Sequence, residues 1–116
     1  MDQADVVAWL KSGGPWNSAP ELIETHAAYV FLTGDRAYKL KKAVNLGYLD
    51  FSTIDKRRLA LERELTLNAR TAPRIYLRVV SVARKGNAFV LDGDGELVDH
   101  LLEMKRFPKG ALLSEI

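Results

Sequence analysis

The spacing of hydrophobic positions changes period twice along this chain. Between residues 2 and 11, Val6, Trp9 and Leu10 recur at helical spacing, with Asp2 or Asp5 placed to cap the segment. "SGGPWNSAP" stops it, because Gly and Pro break helices. Alternation then takes over. "ELIETH" and "AYVFLTG" read as two strands, the second rich in β-branched and aromatic residues. Gly34 and Asp35 supply a tight turn, and "RAYKLKKAV" returns as a third strand, which makes an antiparallel meander. After the irregular "NLGYLDFSTID", helical periodicity runs from about Thr53 to Thr71. Ser52 and Asp55 stand at capping-box spacing before it, and Pro73 ends it. "IYLRVVSVAR" is a fourth strand. "AFVLD" and "LVDHLLEMKRF" are a fifth and a sixth, joined by a hairpin turn at "GDGE". Pro108 and Gly110 close the sheet region, and "ALLSEI" has the character of a helix start. The pattern predicts an α+β fold: an antiparallel sheet of five to six strands, one long helix packed on it, and a short N-terminal helix.

Composition narrows the function classes. A chain of 116 residues with 47% hydrophobic content can close one core. Seventeen Lys and Arg against fifteen Asp and Glu leave a net charge of +2, too mild for a nucleic-acid groove binder. Cysteine is absent, which excludes disulfides and thiolate metal sites, and His26 and His100 are far apart in sequence. No apolar run reaches membrane-span length, and the acidic start "MDQADVVAWL" lacks a secretory signal's basic region, so a cytoplasmic protein with no membrane partner is expected.

The third strand carries three lysines within four positions, residues 39 to 42. Strand alternation puts Ala37, Lys39 and Lys41 on one face and Tyr38, Leu40 and Lys42 on the other. The small Ala37 leaves space beside Lys39 in which a flat ligand could lie while the amine reaches a charged group. The plainer alternative is a half-exposed sheet, with lysines in water or guarding an edge strand. In the long helix, Ile54, Leu61 and Leu65 share one direction, and Glu64 falls inside that apolar arc while Glu62 points to the polar side. A carboxylate among apolar neighbours is costly unless it meets a cation. A Glu64–Lys39 pair would relieve that cost and hold the amine in place. A strand lysine steadied by a helix glutamate suits nucleotide phosphates.

"RAYK", residues 36 to 39, resembles the third-strand V-A-I-K of protein kinases. The longer stretches "LIETHAAYVFLTGDRAYKLKKAVNLGYLDFST", "ERELTLNARTAPRIYLRVV" and "EMKRFP" are similar to the bacterial aminoglycoside phosphotransferase-like family, in particular to members fused to a P-loop ATP-binding domain. The resemblance implies a kinase-like N-terminal lobe over residues 20–108. Residues 1–19 would be an N-terminal helix and linker, and residues 109–116 the start of the connection to a second lobe. It implies that Ala37 packs on adenine, that Lys39 contacts the α- and β-phosphates of ATP with Lys41 as the alternative amine, and that Glu64 orients Lys39. Met104 would border the adenine pocket, and the backbone of Lys105, Arg106 and Phe107 would offer hinge hydrogen bonds. The turn matching the phosphate loop, Thr25 to Ala28, has no glycine and would act through Thr25 or backbone amides. No H-x-D catalytic loop or later metal-binding aspartate is present, so the ligands for Mg2+ belong to the other lobe. Alone, this chain is expected to lack phosphotransferase activity, to bind nucleotide weakly and to self-associate through its uncovered cleft face.

Two rival readings remain from the residues. One is a non-catalytic structural domain. The other is an RNA-binding module built on Arg57, Arg58, Arg63, Arg70, Arg74 and Arg78 around the helix and its exit. His100 reads as sheet surface, and Trp9 and Trp16 as packing anchors for the N-terminal helix.

Overall fold

A computed structural model describes residues 3–16, 18–45, 50–69 and 75–105. Helix α1 (Gln3–Lys11) leads through a 3-10 turn (Gly14–Trp16) into strands β1 (Glu21–Glu24), β2 (Ala28–Thr33) and β3 (Arg36–Lys41). Helix α2 (Ile54–Ala69) follows, then β4 (Tyr76–Lys85), β5 (Ala88–Leu91) and β6 (Glu96–Lys105). The fold is α+β, with a six-stranded sheet in the order β1-β2-β3-β6-β4-β5 and every pairing antiparallel.

The meander of β1, β2 and β3 forms as the alternation predicts. The last two strands do not form a hairpin. β6 inserts between β3 and β4, so residues 92–95 carry the chain across β4 instead of turning back beside β5. The run from Asp99 to Met104 is buried at every position, as a strand flanked on both sides and covered on both faces requires. The crossing needs its glycine. Gly95 has φ +136°, and a Cβ there would lie 2.3 Å from the Arg84 carbonyl oxygen.

Two cores sit on opposite faces of the sheet. Val6, Val7 and Leu10 of α1 pack with Phe31, Leu40, Val80, Val82 and Leu101. Leu61 of α2 packs with Val30, Leu32, Ala37, Tyr76, Leu102 and Met104, joined by the half-buried Leu65. Full burial of Leu61 contributes about 2 kcal/mol. A bulge between Tyr76 and Arg78 shifts the parity of β4. Tyr76 therefore faces α2 while Val80 and Val82 face α1. Trp9 stacks obliquely on Phe89 at 5.3 Å, and Trp16 on Tyr38 at 5.0 Å, as packing anchors.

Helix α2 starts one residue later than the Ser52–Asp55 spacing suggests. Thr53 is the cap, its Oγ1 accepting from the Lys56 backbone N–H at 3.1 Å. Ser52 Oγ instead donates to Asp50. β3 lies between β2 and β6, so its lysines guard no edge. His100, read as surface, is buried on the α2 face, and its Nδ1 has no hydrogen-bond partner among the described residues. The expectations that fall on Asp2, Arg70, Pro73, Arg74, Arg106, Phe107, Pro108, Gly110 and residues 109–116 lie outside the described residues.

Candidate functional site

The candidate site lies where β3 passes beneath α2. Alternation points Ala37, Lys39 and Lys41 towards the helix, and Glu64 descends from it. Lys39 Nζ donates to Glu64 Oε2 at 2.8 Å, and Lys41 Nζ to Glu64 Oε1 at 3.1 Å. One carboxylate thus takes one ammonium on each oxygen. The side chains are 4%, 12% and 16% exposed for Lys39, Lys41 and Glu64, so the charges are largely removed from water. The Phe51 ring adds a face 5.2 Å from Lys41 Nζ.

The three groups perturb one another unequally. Burial pushes the Glu64 carboxyl up, but two facing ammoniums outweigh it and hold the group below its ordinary value. Burial pulls the Lys39 ammonium below its ordinary value, and the neighbouring charge on Lys41 works in the same direction against the attraction of Glu64. Glu64 therefore stays ionised, while Lys39 is held less firmly protonated than a free lysine.

Met104 is the register partner of Ala37, so the residues assigned to the purine pocket are adjacent across the β3–β6 ladder. Both are wholly buried within the core beneath α2, so no open slot lies over Ala37. The Lys105 backbone N–H donates to the Ile75 carbonyl at 2.8 Å and is already engaged. Thr25 Oγ1 accepts from the Ala28 and Ala27 amides at 3.0 and 3.3 Å, so those two donors are already engaged within the turn. Asp92, immediately before the "GDGE" segment, is held by Arg78 at 2.8 Å and accepts from the Ser81 N–H.

A second polar group, not foreseen from the sequence, locks the far end of β3. Asp99 is fully buried and accepts from Arg57 Nε at 3.0 Å and from Gln3 Nε2 at 2.9 Å. Arg57 also donates to the Phe51 carbonyl at 2.8 Å, and Gln3 Nε2 to the Lys41 carbonyl at 2.7 Å. The β3–β6 pairing ends at Lys39–Leu102. Past that point the strands separate, and Arg57 reaches from α2 to an aspartate that shares a strand face with Leu101. The sequence signal was available: Arg57 precedes Leu61 by four residues, and Asp99 interrupts an apolar strand.

Three of the six arginines of the RNA reading are committed to carboxylates. Arg57 is buried on Asp99, Arg58 pairs with Glu62 at 2.9 Å, and Arg78 pairs with Glu103 and Asp92 at 2.8 Å each. Among the described residues, no group of three or more His, Asp or Glu gathers to hold a metal. No described helix is long and apolar enough to cross a membrane.

No family model matches the chain, and no solved structure matches it. The chain is similar to an uncharacterized protein of Mycobacterium bovis and to two of Mycobacterium tuberculosis, each 39% identical over 84 residues. The match covers 72% of this chain and 15% of each relative, so the chain spans a small part of the length of the curated relatives it matches.

Proposed function

We propose that this chain is the nucleotide-binding, kinase-like N-terminal lobe of an ATP-dependent small-molecule phosphotransferase of the aminoglycoside phosphotransferase-like kind, the rest of the site lying on a second lobe. The observation that carries the reading is the 2.8 Å contact between Lys39 of the third strand and Glu64 of the helix that follows it. In protein kinases a third-strand lysine and a helix glutamate must be paired for activity, the glutamate keeping the amine extended towards phosphate. Here the pair is buried, and because taking two charges out of water costs about as much as their attraction returns, a net stabilising role does not by itself account for it.

The roles follow from the residues. Lys39 would meet the α- and β-phosphates, Lys41 stands beside it, and Glu64 holds both. Ala37 and Met104 would border adenine once the cover over them opens. ATP would supply the phosphoryl group, and Mg2+ would be held by carboxylates of the other lobe. Phosphoryl transfer requires in-line positioning, metal and a base, so this chain alone turns over no substrate. ATP-dependent product formed by the purified chain would contradict that.

A second reading is favoured by the burial of Ala37 and Met104: the ion cluster fixes α2 on the sheet in a purely structural domain. Titrating the chain with ATP and with adenosine, followed through its backbone amides, separates the two. The phosphotransferase reading expects ATP to shift amides of residues 37–41 and of α2 around Glu64, and Lys39→Ala to abolish the response in a chain that stays folded. A folded chain whose amides ignore millimolar ATP leaves the structural reading standing.

A further inference from the structure

The ion clusters of this chain differ in their charge balance. Lys42–Glu24, Lys56–Asp50 and Arg57–Asp99 each pair one cation with one anion. Arg58 faces two carboxylates, Asp55 and Glu62. Arg36 and Arg78 face three, Asp35, Glu103 and Asp92. Only Lys39, Lys41 and Glu64, among the described clusters, set two cations against one anion, and this cluster is among the least exposed. An uncompensated charge in a low-dielectric site is expensive, and the interior resolves it by losing a proton or by taking up a counter-ion.

The hydrogen-bond inventory points the same way. Each ammonium has three N–H donors, and Glu64 accepts one from each. Among the described residues no other acceptor meets either Nζ; the Phe51 ring face lies beside Lys41, with no lone pair to offer. Two amines on one strand face, two residues apart and bound to the same carboxylate, therefore each keep donors in reserve. An anion with several oxygens could accept from both at once, whereas a single carboxylate or chloride would serve them less fully.

We propose that Lys39 and Lys41 together form a two-amine site for a diphosphate group, with Lys41 a phosphate ligand in its own right and not a substitute for Lys39. Glu64 spaces the two ammoniums by holding one on each oxygen. The proposal rests on the phosphotransferase reading for the phosphate class of its ligand, which is either the diphosphate segment of a nucleotide or free pyrophosphate. Its charge argument stands without the purine.

Pyrophosphate, ATP, adenosine and sulfate distinguish these sources when titrated against the intact chain by calorimetry and NMR. Wild type is expected to bind one pyrophosphate, and K39Q and K41Q each to weaken it about tenfold, the scale of one lost charge-assisted hydrogen bond. K41R, which keeps the charge, is expected to retain binding. In the wild-type chain the side-chain signals of both lysines should shift together on adding pyrophosphate, a readout independent of whether any variant folds. A folded K41Q that binds as wild type does, or lysine signals of which only Lys39 responds, overturns the proposal while ATP binding keeps the phosphotransferase reading. A wild-type chain that binds ATP but not pyrophosphate also overturns it. Binding of sulfate as strong as that of pyrophosphate does the same, since a two-amine clamp must favour the longer anion. If neither ATP nor pyrophosphate binds, both readings fall.

Discussion

Arg57 of α2 donates through Nε to Asp99 of β6 at 3.0 Å, and neither side chain has meaningful access to water. The contact joins the helix on one face of the sheet to the strand position that α1 engages through Gln3 on the other. Removing one partner leaves the other charge buried and alone. Arg57→Ala is therefore expected to cost about 3 to 5 kcal/mol of folding stability, read from urea unfolding midpoints. A double-mutant cycle with Asp99→Ala should return most of that cost as coupling. Loss of less than about 1 kcal/mol in Arg57→Ala would mean that the aspartate is satisfied without it.

The Lys39–Lys41–Glu64 cluster should respond asymmetrically to substitution. Glu64→Gln leaves two ammoniums facing each other in a poorly hydrated site and is expected to destabilise by about 3 kcal/mol. Lys39→Met removes the surplus cation and fills the same volume, so it should fall within about 1 kcal/mol of wild type or exceed it. Equal losses in the two variants, measured under the same conditions, would contradict the charge count.

Gly95 and Gly34 both adopt positive φ, yet they should tolerate alanine differently. A Cβ on Gly34 meets nothing within 4 Å, so Gly34→Ala pays only the backbone term, about 1 kcal/mol. At Gly95 the Cβ would strike the Arg84 carbonyl, which belongs to a paired strand and cannot retreat. Gly95→Ala is expected to lower stability by about 3 kcal/mol or more, with the difference visible in thermal melting. Comparable melting points for the two variants would remove the steric reason for the crossing.

Acid should destabilise the chain in two stages. Burial holds His100 below its ordinary value of 6.5; Asp99 and, from α2, Glu62 and Asp55 oppose this, and Arg58 reinforces it. The unfolded chain therefore takes that proton first, and stability present above 6.5 begins to be lost as pH falls below it. Glu64 is also held low, so its contribution is complete above 4.5 and is lost as pH falls towards its folded value. Chemical denaturation across this range should show both limbs in wild type. His100→Gln should lose the upper limb and keep the lower. An unchanged upper limb in that variant would assign it to another group.

Much of the site could be read before the structure because its signals were local. Alternation placed Ala37, Lys39 and Lys41 on one face, and helical spacing put Glu64 in the apolar arc of α2. Both periodicities depend only on neighbouring backbone geometry. The Asp99 lock was missed for the opposite reason. Its members, Gln3, Arg57 and Asp99, lie up to 96 residues apart and meet only because β3 and β6 diverge after Lys39–Leu102. His100 was misjudged because β6 is central, and the polarity of one residue says nothing about which strands flank it.

The chain's own pattern determined the elements, their faces and the amine-bearing strand, since side-chain direction repeats every two residues in a strand and every 3.6 in a helix. Tertiary structure alone decided strand order, the insertion of β6 between β3 and β4, and the meeting of two lysines on a single carboxylate. Those outcomes depend on pairing between distant segments, where the free energy lies in burying surface and matching charges across space and leaves no local period in the sequence.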